Sequence, residues 1–264
     1  MYLISLVIEY GAPIFLVTSP LTSYADQILS IHRTRTSAGF SLDIPLIMLV
    51  ASIMKVFYWF GAYYSGALLT QAVVMILVQG TLLKVALENR PSAGVMNGIE
   101  HTPFSGGSAD GGFARPYEFW QWKNTKPYWL FLAYLVAALT LIHLSPISQS
   151  EFYISLLGYI GLAIEATLPV PQIISNYRSN SCQGFRVSVL AAWLIGDMMK
   201  MSYFFCSQEL IPLAFKMCGV FQCMCDIYLG VQYYMFTRSS YRAGGGSAEQ
   251  EGRWGAQEKD IRMT

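Results

Sequence analysis

The sequence predicts an all-α membrane protein with seven transmembrane helices, arranged as two parallel three-helix repeats joined by a linker helix. Composition, an internal repeat and the distribution of basic residues support this fold class. Charged residues make up 12% of the chain, against about 25% in an ordinary soluble domain. The apolar fraction is 54% and the mean hydropathy is +0.40. This composition is typical of a chain that buries much of its surface in lipid.

Seven apolar segments are each long enough to cross a hydrocarbon core of about 30 Å, since a helix rises about 1.5 Å per residue. They lie near residues 9–31, 41–62, 67–87, 127–144, 151–176, 186–206 and 210–236. The first is interrupted by Pro13 and Pro20 and carries Asp26 near its end.

Two stretches of the chain, 145 residues apart, are copies of one segment. Between residues 27–60 and 172–205, eleven of 34 aligned positions are identical, and Lys55 aligns with Lys200. Unrelated segments would share roughly two or three identities at ordinary residue frequencies. A repeat of this length in apolar sequence indicates two similar helical bundles.

The basic residues lie on one side of the predicted membrane. When the seven spans alternate in direction, fourteen of the 17 Lys and Arg fall on one side and none on the other, with Lys55, Lys200 and Lys216 inside spans. By the positive-inside rule the N-terminus is lumenal and the C-terminus cytosolic. Three spans reverse the direction of the chain, so a parallel second copy needs one extra crossing first, and the span at 127–144 supplies it.

These observations predict five regions along the chain. A first three-helix repeat occupies residues 1–88, and a cytosolic linker with an interfacial aromatic segment follows at 89–126. A connecting transmembrane helix covers 127–150, the second repeat covers 151–236, and a disordered cytosolic tail covers 237–264. The linker includes a glycine-rich stretch at 105–112, which is too polar and too flexible to pack.

The fifth span ends in Leu168-Pro-Val-Pro-Gln-Ile173. Proline has no amide proton and clashes with the preceding turn, so Pro169 and Pro171 are expected to bend or loosen the helix. We expect the Gln172 amide to bond the backbone carbonyls that the prolines leave free. This motif, together with the repeat and the seven spans, resembles the PQ-loop family, which includes the SWEET sugar transporters and the lysosomal cystine exporter.

The first copy departs from the family pattern. It reads Ala25-Asp26-Gln27, so Gln27 is retained while Asp26 stands where the family has proline. Pro20 lies about two turns upstream and is expected to supply a displaced kink. Two equivalent hinges are therefore not expected, which argues against a symmetric rocking cycle.

A narrower resemblance is carried by Phe119-Trp-Gln-Trp122, by the segment from Trp193 to Lys200, and by Cys218-Gly-Val-Phe-Gln222 with Asp226. These segments look like the fungal and animal PQ-loop proteins of Golgi, trans-Golgi and endosomal membranes. The resemblance implies an energy-independent phospholipid scramblase that opposes aminophospholipid flippases of the P4 type. Membrane phospholipids are then the partner, and no cofactor is implied.

Several polar residues fall within the predicted spans. An ionisable side chain near the bilayer centre costs roughly 2.5–3.5 kcal/mol, so it normally faces a partner or water. Asp197 and Lys200 are three residues apart and can pair on one helix face. The candidates for a lipid pathway are Lys55, Ser52, Glu165, Asp197, Lys200 and Asp226. The same residues are also compatible with an internal salt bridge that only braces the helices, and both interpretations remain open at this point.

The sequence also limits the classes of function. No nucleophile–base spacing and no metal-ligand spacing occurs, so we expect no enzymatic catalysis. A net charge of +1, with the basic residues spread along one membrane face, argues against nucleic acid as a partner. Three functions remain: a scramblase, a proton-coupled exporter of a small solute such as an amino acid or sugar, and a lumenal cargo receptor. The short lumenal loops hold no basic residue, which makes the receptor the weakest of the three.

Overall fold

A computed structural model of the chain describes residues 7–37, 40, 42–90, 119–120, 122, 124–179, 187–207 and 209–236. Within these ranges the backbone forms helices and short connections, without a strand. A π-helical turn, Val7–Gly11, precedes the first α-helix, and a 3₁₀ turn, Pro146–Gln149, follows the fourth. The α-helices of the described ranges are α1 (Ala12–Thr34), α2 (Asp43–Ala62), α3 (Gly66–Glu88), α4 (Lys126–Leu144), α5 (Glu151–Ala166), α6 (Pro169–Ser179), α7 (Val187–Cys206) and α8 (Leu213–Phe236).

Within the described ranges, five segments are long and apolar enough to cross a membrane. They are α2, α3, α4, the continuous stretch Glu151–Arg178 that contains α5 and most of α6, and α8. The prediction of an all-helical, membrane-type fold is confirmed at this level. The helices α1 and α7 lie where the first and sixth spans were predicted and contain 23 and 20 residues, or about 35 and 30 Å of helix.

The first half of the chain is a three-helix bundle. The helix α3 packs along both α1 and α2. Its first turn begins directly after the connection Tyr63–Ser65, where Tyr63 takes a left-handed conformation and closes the end of α2 by donating to the Trp59 carbonyl. At the opposite end, the Ser37 amide donates to the Asn89 carbonyl at 2.8 Å, which ties the ends of α1 and α3 together.

In the second half, α8 contacts both α6 and α7. The Gln232 amide donates to the Ile173 carbonyl of α6 at 3.1 Å, and a Cβ placed on Gly219 would meet Met201 and Phe204 of α7. The missing side chain of Gly219 leaves room for these two side chains of α7.

The two halves meet mainly along α2 and α5. Glycines lie at the closest approach: a Cβ on Gly158 would be 2.6 Å from the Tyr58 ring, and one on Gly161 would be 3.0 Å from Met54 Cβ. A small-residue face of this kind is the usual way for helices to associate in lipid, where no hydrophobic driving force acts between them.

The prolines of the second half break the helix that α5 and α6 would otherwise form. In a regular helix the amides of residues 169 and 171 would bond the carbonyls of Glu165 and Thr167, but prolines have no amide proton. The Leu168 amide takes the Glu165 carbonyl at 3.1 Å and the Val170 amide takes the Thr167 carbonyl at 3.0 Å, in tight three-residue turns. The role expected for Gln172 is therefore wrong, because backbone amides take these two carbonyls.

The Gln172 amide nitrogen instead donates to Asn176 Oδ1 at 2.8 Å, one turn along α6. Gln172 therefore supports the start of α6 through a neighbouring side chain. In the first half, α1 continues without interruption through Pro20, which is buried. Gln27, the aligned counterpart of Gln172, is exposed on α1.

The aromatic segment before α4 packs into the protein. Trp120 and Tyr128 are buried, and the Trp120 indole donates to the Leu42 carbonyl at 2.7 Å, ahead of α2. Arg90, after α3, donates to the Trp122 carbonyl at 2.8 Å and lies over the Tyr128 ring. The segment thus fixes the start of α4 to the ends of α2 and α3. The predicted glycine-rich linker and the tail after residue 236 lie outside the described residues.

Candidate functional site

A buried ion pair joins the two halves. Lys55 Nζ of α2 lies 2.5 Å from Glu165 Oε2 of α5, and the two side chains are only 5% and 15% exposed. Glu165 is one turn before Pro169, so the carboxylate lies at the helix break. Tyr64, in the connection after α2, donates its hydroxyl to the Lys55 carbonyl at 2.8 Å, and burial raises the pKa of this phenol, which keeps it a neutral donor.

The aligned lysine of the second half has different partners. Lys200 Nζ of α7 donates to Gln222 Oε1 of α8 at 3.0 Å and lies 3.8 Å from Asp197 Oδ1, one turn earlier on the same helix. The Lys200 side chain is 18% exposed, which is more than Lys55. Its ammonium therefore has a looser carboxylate partner than the ammonium of Lys55.

Both lysines and Glu165 line one cavity between the halves. Its volume is about 30 Å³, which holds roughly two water molecules. The lining comes from α2, α3, α5, α7 and α8, and the polar members besides these three residues are Gln71 and Gln222. Phe204, Phe215 and other apolar side chains complete the wall. Such a cavity offers ammonium donors suited to phosphate oxygens and a carboxylate suited to an amine.

The other predicted pathway residues lie behind the cavity wall. Asp197 and Asp226 are 4% and 3% exposed, and each lies one helical turn from the bond between Lys200 of α7 and Gln222 of α8. Ser52, aligned with Asp197, is fully buried in α2, and its hydroxyl has no hydrogen-bond partner among the described residues. The structure thus brings Lys55, Glu165 and Lys200 together at the cavity and leaves the remaining three outside its lining.

Sequence reasoning missed two residues of the cavity, Gln71 and Gln222. A signal for Gln222 was present, because Gln222 and Asp226 are four residues apart on α8 and share one face with a helical period.

Comparison with known proteins gives two findings. The family model described as the PQ loop repeat matches residues 18–68 and 153–213, one match in each half of the chain. The chain is also 30% identical to the scramblase ANY1 of Saccharomyces cerevisiae over an alignment 276 positions long, gaps included. The alignment covers 83% of this chain and 68% of that protein.

Proposed function

This chain belongs to the PQ-loop repeat family, and from that premise we propose that it is an energy-independent phospholipid scramblase. The observation that carries the proposal is the polar cavity between the halves, with Lys55, Glu165 and Lys200 in its wall beside a broken helix. The similarity to a scramblase of yeast supports the same substrate class.

The proposed architecture has seven spans, with α5 and α6 forming one of them and α4 connecting two parallel repeats. Two sets of contacts support it. On one side, Ser37 bonds Asn89 and the Trp120 indole bonds Leu42, and the basic ends of α1 and α6 belong to this side if the spans alternate. On the other side, the Ser65 amide donates to the Leu210 carbonyl at 3.3 Å.

The basic side is then cytosolic and the N-terminus lumenal. Protease added to sealed microsomes should digest the tail after residue 236. A tail that stays protected until detergent is added would contradict this orientation.

Lipid transfer in this scheme requires the cavity to open. A volume near 30 Å³ is too small for a phosphate-bearing headgroup, so the described conformation is a closed one. The nearest interrupted backbone is the turn between Ala166 and Pro169, where α6 can change its angle to α5 without losing regular helical bonds. The headgroup would cross along Lys55, Glu165 and Lys200 while the acyl chains remain in the bilayer. No energy source is needed, because each lipid moves down its own gradient.

Reconstitution tests the proposal. Purified protein in liposomes with a fluorescent phospholipid, treated with dithionite without ATP or calcium, should lose nearly all of its fluorescence. Quenching that stops near one half, as in protein-free vesicles, would refute the scramblase. Lys200→Met should slow the transfer roughly tenfold, the effect of losing a contact worth about 1.4 kcal/mol. Lys84→Met, which removes an exposed lysine of α3, is the matched control and should leave the rate unchanged.

A second function, export of a small solute such as an amino acid or sugar coupled to protons, is favoured by one observation. The cavity lies between two halves of a repeat protein and contains ionisable groups, as expected of a transporter site. The two functions differ in what crosses the vesicle membrane and in whether a pH gradient changes its rate. A scramblase transfers labelled lipid in both directions without a pH gradient, whereas an exporter moves labelled solute and responds to the gradient.

The proposed cellular setting rests on the resemblance to PQ-loop proteins of Golgi and endosomal membranes. A scramblase of the Golgi, the trans-Golgi network and endosomes would dissipate the lipid asymmetry that aminophospholipid flippases create. Loss of the protein should therefore lessen the growth defect of cells with a weakened flippase. Cells in which the loss deepens that defect would contradict the antagonism.

A further inference from the structure

Two buried aspartates lie behind the cavity, and the proposed lipid path uses neither directly. Asp197 of α7 and Asp226 of α8 are 4% and 3% exposed. The bond of 3.0 Å between Lys200 of α7 and Gln222 of α8 places these two helices side by side, and each aspartate lies one turn from it, so the two carboxyl groups are neighbours. One oxygen of each, Oδ2 of Asp197 and Oδ1 of Asp226, has no hydrogen-bond partner among the described residues.

The charge around this pair is unbalanced. The cation within reach is Lys200, 3.8 Å from Asp197 Oδ1, and Lys200 also faces Glu165 of α5. On α8 the pair is flanked by the uncharged thiols Cys223 and Cys225. The elements that pack on α7 and α8 are the π-helical turn, α1 and α6, and their charged groups, Glu9, Asp26, Arg33 and Arg178, are exposed. Among the described residues, the two carboxyl groups therefore share a single nearby cation.

Two carboxylates in contact, away from water, cannot both carry a full charge, because their repulsion is poorly screened there. A hydrogen bond between them also requires a proton, since ionised carboxylates only accept. One proton held between them removes the repulsion and leaves one negative charge, which balances the ammonium of Lys200.

We propose that Asp197 and Asp226 hold one proton between them and that uptake of a second proton releases Lys200 to the phosphate of a lipid headgroup. With one proton the pair carries one negative charge and holds Lys200 at Asp197. With two protons the pair is neutral, and the strongest remaining acceptor for the Lys200 ammonium is the phosphate entering the cavity. This inference rests on the proposed scramblase function and adds a regulation by pH, with faster transfer under acid conditions.

Replacing the two aspartates one at a time should change the rate of lipid transfer in opposite directions. In Asp226→Asn the remaining Asp197 stays ionised beside Lys200, so transfer should be slow at both acid and neutral pH. In Asp197→Asn the clamp on Lys200 is absent, so transfer should be fast at both. Glu88→Gln, which changes an exposed carboxylate of α3 four residues from Lys84, is the matched control and should keep the pH profile of the parent.

The experiment measures lipid transfer and infrared absorption on the same proteins in liposomes of zwitterionic phospholipid. The parent should transfer lipid at least about threefold faster near pH 5.5 than near pH 7.5. At neutral pH it should also show the carbonyl stretch of a protonated carboxylic acid, and Asp226→Asn, in which Asp197 stays ionised beside Lys200, should lack that band. A parent rate that is flat or falls with acid, or a band that persists in Asp226→Asn, overturns the inference.

The two readouts separate the inference from the proposed function. If the parent shows the band at neutral pH, Asp226→Asn lacks it and the parent transfers no lipid, the scramblase and the release of Lys200 are refuted, and the shared proton alone stands. A parent that transfers lipid but lacks the band would refute the shared proton while leaving the scramblase intact.

Discussion

The first spans of the two halves contain prolines but handle them in opposite ways. In α1 the carbonyl of Leu16 cannot bond residue 20, because Pro20 has no amide proton; the Ser19 hydroxyl donates to it at 3.1 Å instead. In the second half, backbone amides take the carbonyls freed by Pro169 and Pro171, and the helix is interrupted between Ala166 and Pro169. In α1 a side-chain hydroxyl thus takes the free carbonyl and the helix continues. In the second half backbone amides take the free carbonyls in tight turns, and the helix is interrupted there.

The alignment of the two halves explains why the two aligned lysines have different partners. With a shift of 145 residues, Glu165 in the second half aligns with Pro20 in the first. Lys55 reaches Glu165 across the halves, but under the proposed two-fold relation Lys200 would reach a proline.

Lys200 therefore needs a carboxylate from its own half. Asp197 supplies it 3.8 Å away, at the position that Ser52 occupies in the first half. The difference between the halves teaches that, within the described residues, the second half alone combines an interrupted helix with a loosely held lysine. The four predictions below test that difference.

The largest effect is expected from the ion pair between the halves. Lys55→Met or Glu165→Gln leaves an uncompensated buried charge or an unpaired polar group and should lower the free energy of unfolding by about 3–5 kcal/mol. The double variant removes both charges and should recover most of the loss. The exposed pair Lys84 and Glu88 is the control, where the same changes should cost about 0.5 kcal/mol or less. Thermal unfolding of monodisperse protein measures each; single variants as stable as the parent would contradict a structural pair.

Adding a methyl group at the contact between α2 and α5 should have the next largest effect on stability. A methyl group on Gly158 would lie 2.6 Å from the Tyr58 ring, so Gly158→Ala should destabilise by about 1–3 kcal/mol through overpacking. Gly80 of α3 has no atom within 4 Å of the equivalent position, so Gly80→Ala should be neutral or stabilising by up to about 1 kcal/mol. Equal thermal stability of the two variants would show that the halves do not meet at Gly158.

Repairing the broken helix should affect transfer more than stability. In the Pro169→Ala/Pro171→Ala double variant, the amides regain the carbonyls of Glu165 and Thr167, so α5 and α6 can join. Lipid transfer in liposomes should slow about fivefold, which corresponds to about 1 kcal/mol. Pro20→Ala in the unbroken α1 is the control and should transfer lipid at the parent rate. A fast double proline variant would remove the hinge from the mechanism.

The smallest effect is expected at Ser19 of α1, whose hydroxyl donates to the carbonyl that Pro20 leaves free. Ser19→Ala removes the hydroxyl that satisfies the Leu16 carbonyl and should destabilise the protein by about 1 kcal/mol. Thr70→Ala, which removes a hydroxyl from the regular helix α3, should cost less, because backbone amides already satisfy that helix. Identical losses of thermal stability in the two variants would contradict the special role of Ser19.

Local features of the fold could be predicted from the sequence. The spans expected at 41–62, 67–87 and 127–144 match α2, α3 and α4 within two residues, because apolar runs end at charged or turn-forming residues. The break at Pro169 followed from the chemistry of proline. The proximity of Asp197 and Lys200, 3.8 Å apart, followed from the helical period alone.

Features that depend on how the halves pack could not be predicted. Lys55 and Glu165 are 110 residues apart, and no local pattern indicates which carboxylate faces which lysine. The contact between the Asp197 and Asp226 carboxyl groups also depends on the rotation of α8 against α7. Gln172 was assigned to the freed carbonyls because its reach allowed it, but neighbouring amides were closer.

The ion pair at the cavity also has an electrical consequence. Moving one unit charge through a membrane potential costs about 2.3 kcal/mol per 100 mV, but Lys55 and Glu165, 2.5 Å apart, carry no net charge together. The pair therefore responds little to voltage, wherever it lies in the bilayer. A cavity of about 30 Å³ is also too small for an ion with its hydration shell. The closed protein should keep the membrane insulating, so cells could carry it in compartments that maintain ion gradients.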